Sequence, residues 1–176
     1  MPVALPYIIK HFKVSIDLGV WIISIYTLLV AILMPLYGWL GDRMGFQRLY
    51  SYSLFGLALF FLAAAFSSDF HWLIIFRVGQ GICNSMTLPA VMSITTRIFP
   101  IHERGQALGV WATVNGAAYG LGPIISGFLI EYFDWRAIFW TNGLLSILGS
   151  FLVFMLVLND TQRTKKPFDI LGAFIF

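Results

Sequence analysis

Charge is absent over long stretches of this chain, and the lengths of those stretches restrict what it can fold into. No Asp, Glu, Lys or Arg occurs over 18–41, 49–68, 105–130 or 137–159, and the stretch 71–97 is interrupted before its terminal Arg97 only by Arg77. A bilayer core about 30 Å thick needs about 20 helical residues at about 1.5 Å each, so every one of these stretches is long enough to cross. Lipid offers the backbone no hydrogen-bond partner, and the runs lack the strict alternation of barrel strands, so the spans are helices.

Composition agrees. Soluble domains are about 45–50% apolar and about 25% charged. This chain of 176 residues is 59% apolar and 11% charged, with a mean hydropathy of +0.85. So few charges cannot cover the surface of a water-soluble protein of this size, and the surplus apolar surface faces lipid. The expected fold class is an all-α membrane protein, a polytopic helical bundle in one transmembrane domain over 1–176. Five full spans are predicted at about 18–41, 49–68, 71–97, 105–130 and 137–159. Residues 1–12 read as the last part of an earlier helix and 170–176 as the start of a later one, so the chain is expected to be truncated at both ends. The first nine residues have no basic region and no small-residue cleavage site, unlike a signal peptide. One cysteine, Cys83, leaves no intrachain disulfide or cysteine metal cage and reads as a packing residue.

The cations fall unevenly between alternate loops. Loops 42–48, 97–104 and 160–169 carry Arg43, Arg48, Arg97, Arg104, Arg163, Lys165 and Lys166, whereas the opposite side carries Lys10, Lys13 and Arg136. Seven against three places the first set in the cytoplasm by the positive-inside rule. Trp21, Trp39, Trp72, Trp111, Trp135 and Trp140 all lie near predicted span ends, where an aromatic belt belongs. No basic tract interleaved with aromatics is present, so nucleic acid is not an expected partner; the lipid bilayer is.

Four segments carry further information. Arg77 puts a guanidinium inside an apolar helix, at a cost of about 2.5–3.5 kcal/mol on insertion scales. Such a residue faces the bundle interior, or else snorkels to the nearer interface. Gln80 shares its face three residues on, followed by Gly81. Gly38-Trp39-Leu40-Gly41-Asp42-Arg43-Met44-Gly45 reads as a short cytoplasmic hairpin turn with charges at helix ends. The stretch 105–130 holds two ladders of small residues, Ala112, Gly116, Gly120 and Ala118, Gly122, Ser126, which allow close backbone packing. Pro123 within it supplies a kink. His102 reads as a surface residue, and His11 and His71 have no second ligand at metal spacing. No nucleophile–base pair or phosphate loop is present, so neither an enzyme, a metal nor a cofactor is expected.

These segments together resemble the signatures of the major facilitator superfamily, in order. Gly38, Leu40, Asp42, Arg43 and Gly45 resemble its loop between the second and third helices, with Phe46 and Gln47 where basic residues are usual. Arg77, Gln80 and Gly81 resemble its fourth-helix motif. Gly109, Ala118, Gly122, Pro123, Ser126 and Gly127 resemble the fifth-helix antiporter motif, with Ala118 and Ser126 in place of glycines. Val3-Ala4-Leu5-Pro6, Phe133 to Asn142 and Phe168 to Gly172 resemble segments of the 14-span drug:proton antiporters of the EmrB/QacA type. The resemblance implies an N-terminal fragment of a proton-coupled exporter of small lipophilic or cationic compounds, in the plasma or inner membrane. Its partners would be a small-molecule substrate, protons and the missing C-terminal helices. Arg77 would face a central cavity and hold an acid upstream of Met1, since no other acid of this chain lies within a span. Asp42 would latch the cytoplasmic side against a helix of the missing half, and the Gly122–Pro123 step would bend the fifth helix. Alternatives are a solute importer of the same superfamily and a truncated or non-transporting membrane scaffold.

Overall fold

Seven α-helices follow one another with very short joints in the computed structural model, which describes residues 1–156. They are α1 (Leu5–Phe12, preceded by a 3-10 turn at Pro2–Ala4), α2 (Ile16–Met44), α3 (Phe46–Ala65), α4 (Phe70–Asn84), α5 (Thr87–Ile98), α6 (Ile101–Tyr132) and α7 (Arg136–Leu156). The expected all-helical membrane bundle is present. Four helices, α2, α3, α6 and α7, are long and apolar enough to cross a bilayer in one piece.

Local chemistry sets the joints. Lys13 adopts a left-handed conformation (φ 54°) that ends α1. Ser15, extended, then caps α2 by accepting from Leu18 N at 3.4 Å, and Asp17 in the first turn suits the positive end of the helix. One residue, Gly45, separates α2 from α3 (φ 93°, ψ 129°). Pro100, extended, precedes α6, and the Asp134 carboxylate accepts from Trp135 N at 2.7 Å just before α7.

Two expectations are corrected. Loops 42–48 and 97–104 shrink to Gly45 and to Phe99–Pro100, so Asp42, Arg43, Arg48, Arg97 and Arg104 ride on helix ends. A charge does not mark where a helix stops winding: α2, with 29 residues, extends about 44 Å at about 1.5 Å per residue. The span expected at 71–97 is made by two helices, α4 and α5. Pro89 has no N–H, and its ring crowds the carbonyl four residues back, at Ser85. The ladder accordingly tightens there, with Met86 N bonding Cys83 O at 3.2 Å before Ala90 N resumes with Met86 O at 3.3 Å. The loop 160–169, the span start 170–176, the end of the span 137–159 and the resemblance at Phe168 to Gly172 lie outside the described residues.

α3 packs most extensively on α7, and α4 lies against both α2 and α3. One core gathers at the end bearing the α1–α2, α3–α4 and α6–α7 joints, around Ile8, Ile22, Leu73, Trp135 and Phe139. A smaller one, Phe46, Leu49 and Ala90, lies at the other end. Phe55, Leu59, Phe151 and Phe154 are exposed, an apolar outer surface suited to lipid. Trp135 departs from the expected aromatic belt: it is 2% exposed, in ring contact with His11, Phe12 and Phe139.

Candidate functional site

Gly79 and Gly81 let α4 approach its neighbours so closely that Arg77 is sealed inside. A Cβ on Gly79 would strike the ring of Phe60 in α3, and one on Gly81 would lie 3.1 Å from both the Tyr26 carbonyl oxygen and Leu29 Cβ in α2. Arg77 is 3% exposed and Gln80 fully buried. The guanidinium does not snorkel. Its Nη1 donates to Gln80 Oε1 at 2.8 Å, and Gln80 Nε2 donates onward to the Phe60 carbonyl oxygen at 3.1 Å. The guanidinium carbon lies 5.2 Å from the Tyr26 ring centroid and 5.8 Å from that of Phe139 in α7. Its Nε is buried with no hydrogen-bond partner among the described residues.

Arg77, Gln80 and Gly81 are therefore brought together as their spacing implies. Tyr26 and Phe60 belong to no motif of the sequence, and Phe139 enters one only within the segment Phe133 to Asn142. They come from three other helices, and an aromatic ring within an apolar run carries no local sign of what it covers.

At the opposite end of the bundle from α1, Asp42 at the end of α2 lies 3.8 Å from Arg97 Nη2 at the end of α5. The Arg97 guanidinium in turn lies over the Phe46 ring at 5.1 Å, and Arg43 over Trp39 at 4.3 Å. Asp42 thus has a partner within this chain, where the resemblance pointed to a helix beyond it. Gly38 is half-buried in the last turns of α2 with open space where a Cβ would point, so it is not part of the turn itself. Gly45 is.

The α6 residues are not brought to the Arg77 site. Gly109, Ala118 and Pro123 are exposed, and Gly122, Ser126 and Gly127 are half-buried. A Cβ on Gly109, Gly122 or Gly127 would meet nothing within 4 Å. The close backbone packing expected of the ladders is absent among the described residues, because α6 touches only α5, α7 and the N-terminal 3-10 turn to any extent. α6 runs through Pro123 as one helix.

A second polar cluster, centred on Arg136, ties three joints together. Arg136 Nη2 donates to the Ser67 carbonyl oxygen at 3.1 Å and lies 3.4 Å from His11 Nε2, while Nη1 meets Asp134 Oδ2 at 3.3 Å. A groove of about 640 Å³, lined by Tyr132, Phe133, Trp140 and Thr141 among others, opens beside it.

Residues 1–172 match the sequence profile of the Major Facilitator Superfamily. The chain belongs to the major facilitator superfamily. This is a transporter family, not an enzyme family, and the match is to its N-terminal portion. Among curated relatives, the methyl viologen resistance protein SmvA of Salmonella typhimurium is 36% identical over 97% of this chain and 36% of its own length. The multidrug efflux pump LfrA of Mycolicibacterium smegmatis is 36% identical over 94% of this chain and 33% of its own. The riboflavin transporter RibZ of Clostridioides difficile is 31% identical over 99% of this chain and 38% of its own. The chain spans about a third of the length of the curated relatives it matches. The resemblance to the EmrB/QacA-type exporters is met by relatives named for efflux and resistance, and this is a multi-pass membrane transporter chain.

Proposed function

We propose that these residues form the coupling half of a proton-driven exporter of small lipophilic or cationic compounds. The observation that carries this reading is the burial of Arg77 with a free Nε donor. A permanent cation inside the membrane is costly to keep, and a donor left open beside it suits a carboxylate supplied from outside the described residues. That carboxylate would be ionised while paired and would lose the pair on taking up a proton, since a neighbouring cation favours the charged form. Names such as methyl viologen resistance protein and multidrug efflux pump support the substrate class.

By the same reading Arg43, Arg48, Arg97 and Arg104 face the cytoplasm, as do the segments 42–48, 97–104 and 160–169, in a cell membrane. The Asp42–Arg97 pair then steadies the cytoplasmic ends of α2 and α5, and the open small-residue face of α6, from Gly109 to Gly127, receives helices from the rest of the transporter. Transport would proceed by rocking of two halves about a central site, with substrate, protons and those further helices as partners and no metal or cofactor required.

A solute importer is the second reading, favoured by the riboflavin transporter among the relatives. The two differ in direction. In inverted vesicles acidified inside by respiration, an exporter accumulates methyl viologen and the added compound dissipates the pH gradient. Uptake into right-side-out vesicles, with riboflavin or another solute and no accumulation in inverted ones, would support the importer instead.

A further inference from the structure

A coupling arginine must survive the part of the cycle in which its carboxylate is neutral. Every proton taken up by that acid leaves a guanidinium at membrane depth without a counter-ion, and a lone cation there is unfavourable. The surroundings of Arg77 contain what such a moment requires. Gln80 Oε1 accepts from Nη1 at 2.8 Å and is itself fixed by the Phe60 carbonyl through its amide nitrogen. The Tyr26 and Phe139 rings, from α2 and α7, lie within the about 6 Å over which a ring face attracts a cation.

We infer that Tyr26 and Phe139 are positioning residues that hold Arg77 while its acid is protonated, and so set the pH at which that acid gives up its pair. This rests on the coupling reading above. The physical step is a difference between two states. A ring face attracts a bare guanidinium more strongly than one whose charge is cancelled by a carboxylate, so the rings favour the protonated, unpaired acid relative to the ion pair. Tyr26 and Phe139 thereby raise the pH at which the acid is protonated, opposing Arg77, which lowers it. Among the described residues, the titratable groups of the protein interior whose fields reach this cluster are Tyr26 itself and, through Tyr26, Tyr119 of α6. α3 contributes a backbone carbonyl and α7 a hydrocarbon ring.

The test follows the acid directly and needs no knowledge of the substrate. Infrared difference spectra of the intact transporter in lipid record the carbonyl stretch of carboxylic acids as pH is varied. Arg77→Ala is expected to move one such titration to higher pH. Tyr26→Leu and Phe139→Leu are each expected to move the same titration to lower pH, by roughly half a unit to one unit. Tyr26→Phe, which keeps the ring, is expected to leave it where the parent has it. If Arg77→Ala moves no carboxyl titration, the coupling reading itself fails. If Arg77→Ala moves one and both leucine variants leave it unmoved or raise it, the coupling reading stands and the inference about the rings is overturned. Should one leucine variant not reach the membrane, the other decides.

Discussion

Gly45 combines two demands that no other residue type meets together. It is buried, and its φ of 93° lies where an L side chain is strained. Gly45→Val should cost about 2 kcal/mol or more, since a β-branched residue is strained at this φ. Thermal unfolding of the protein in detergent would show this as a lower transition temperature; an unchanged transition would mean that the joint relaxes freely. Gly81 meets a different demand, closeness: a Cβ would press on the backbone of Tyr26. Gly81→Leu should separate α2 from α4 and lower membrane abundance more than the same change at Gly109, where space is open. At this scale the sequence was informative where chemistry is local. Arg77 and Gln80 meet because i and i+3 share a helix face. The rings that cover Arg77 come from helices 51 and 62 positions away, and no local pattern marks them.

Elements are joined by two devices, a break and a tie. The break at Ser85–Met86 follows from Pro89 and divides the span expected at 71–97 into α4 and α5. A hydroxyl pair, Ser53 Oγ and Thr87 Oγ1 at 2.8 Å, fastens the start of α5 to α3. Pro89→Ala should restore the missing donor, and amide hydrogen exchange around Met86 to Ala90 should slow; equal rates would show that the break has another cause. The tie is Arg136, which links the α6–α7 joint to Ser67 and His11. Arg136→Met should lower thermal stability by roughly 1.5–3 kcal/mol, the range for hydrogen bonds to a charged group, and more than Arg104→Met does. Helix existence was legible from charge-free length, whereas helix ends were not. Charges such as Arg97 and Asp42 stand on the last helical turns, so a charge overstates the loop. Pro89 was visible in the sequence, but a proline inside an apolar run can kink a helix or divide it, and neighbouring packing decides which.

At the largest scale, the described residues form an asymmetric bundle. α3 packs on both α4 and α7, and α2 on α4, while α6 leaves most of its surface open. Its small-residue ladders were legible, but their partner was not, because a ladder states how closely a helix can be approached and not by what. The proposed orientation makes a prediction at this scale. Ser15→Cys should react with a membrane-impermeant maleimide added outside intact cells, and Arg104→Cys only after the membrane is opened. The native Cys83, packed on Gly56, should stay unlabelled.

The proposed coupling turns on Arg77 as the residue that links proton and substrate. In inverted vesicles holding equal amounts of the intact transporter, a pH gradient should drive methyl viologen accumulation by the parent. Arg77→Ala should retain no more than about a tenth of it, the loss of roughly 1.4 kcal/mol or more of coupling. Accumulation by Arg77→Ala at the parent's rate, with the same dependence on the pH gradient, would contradict it.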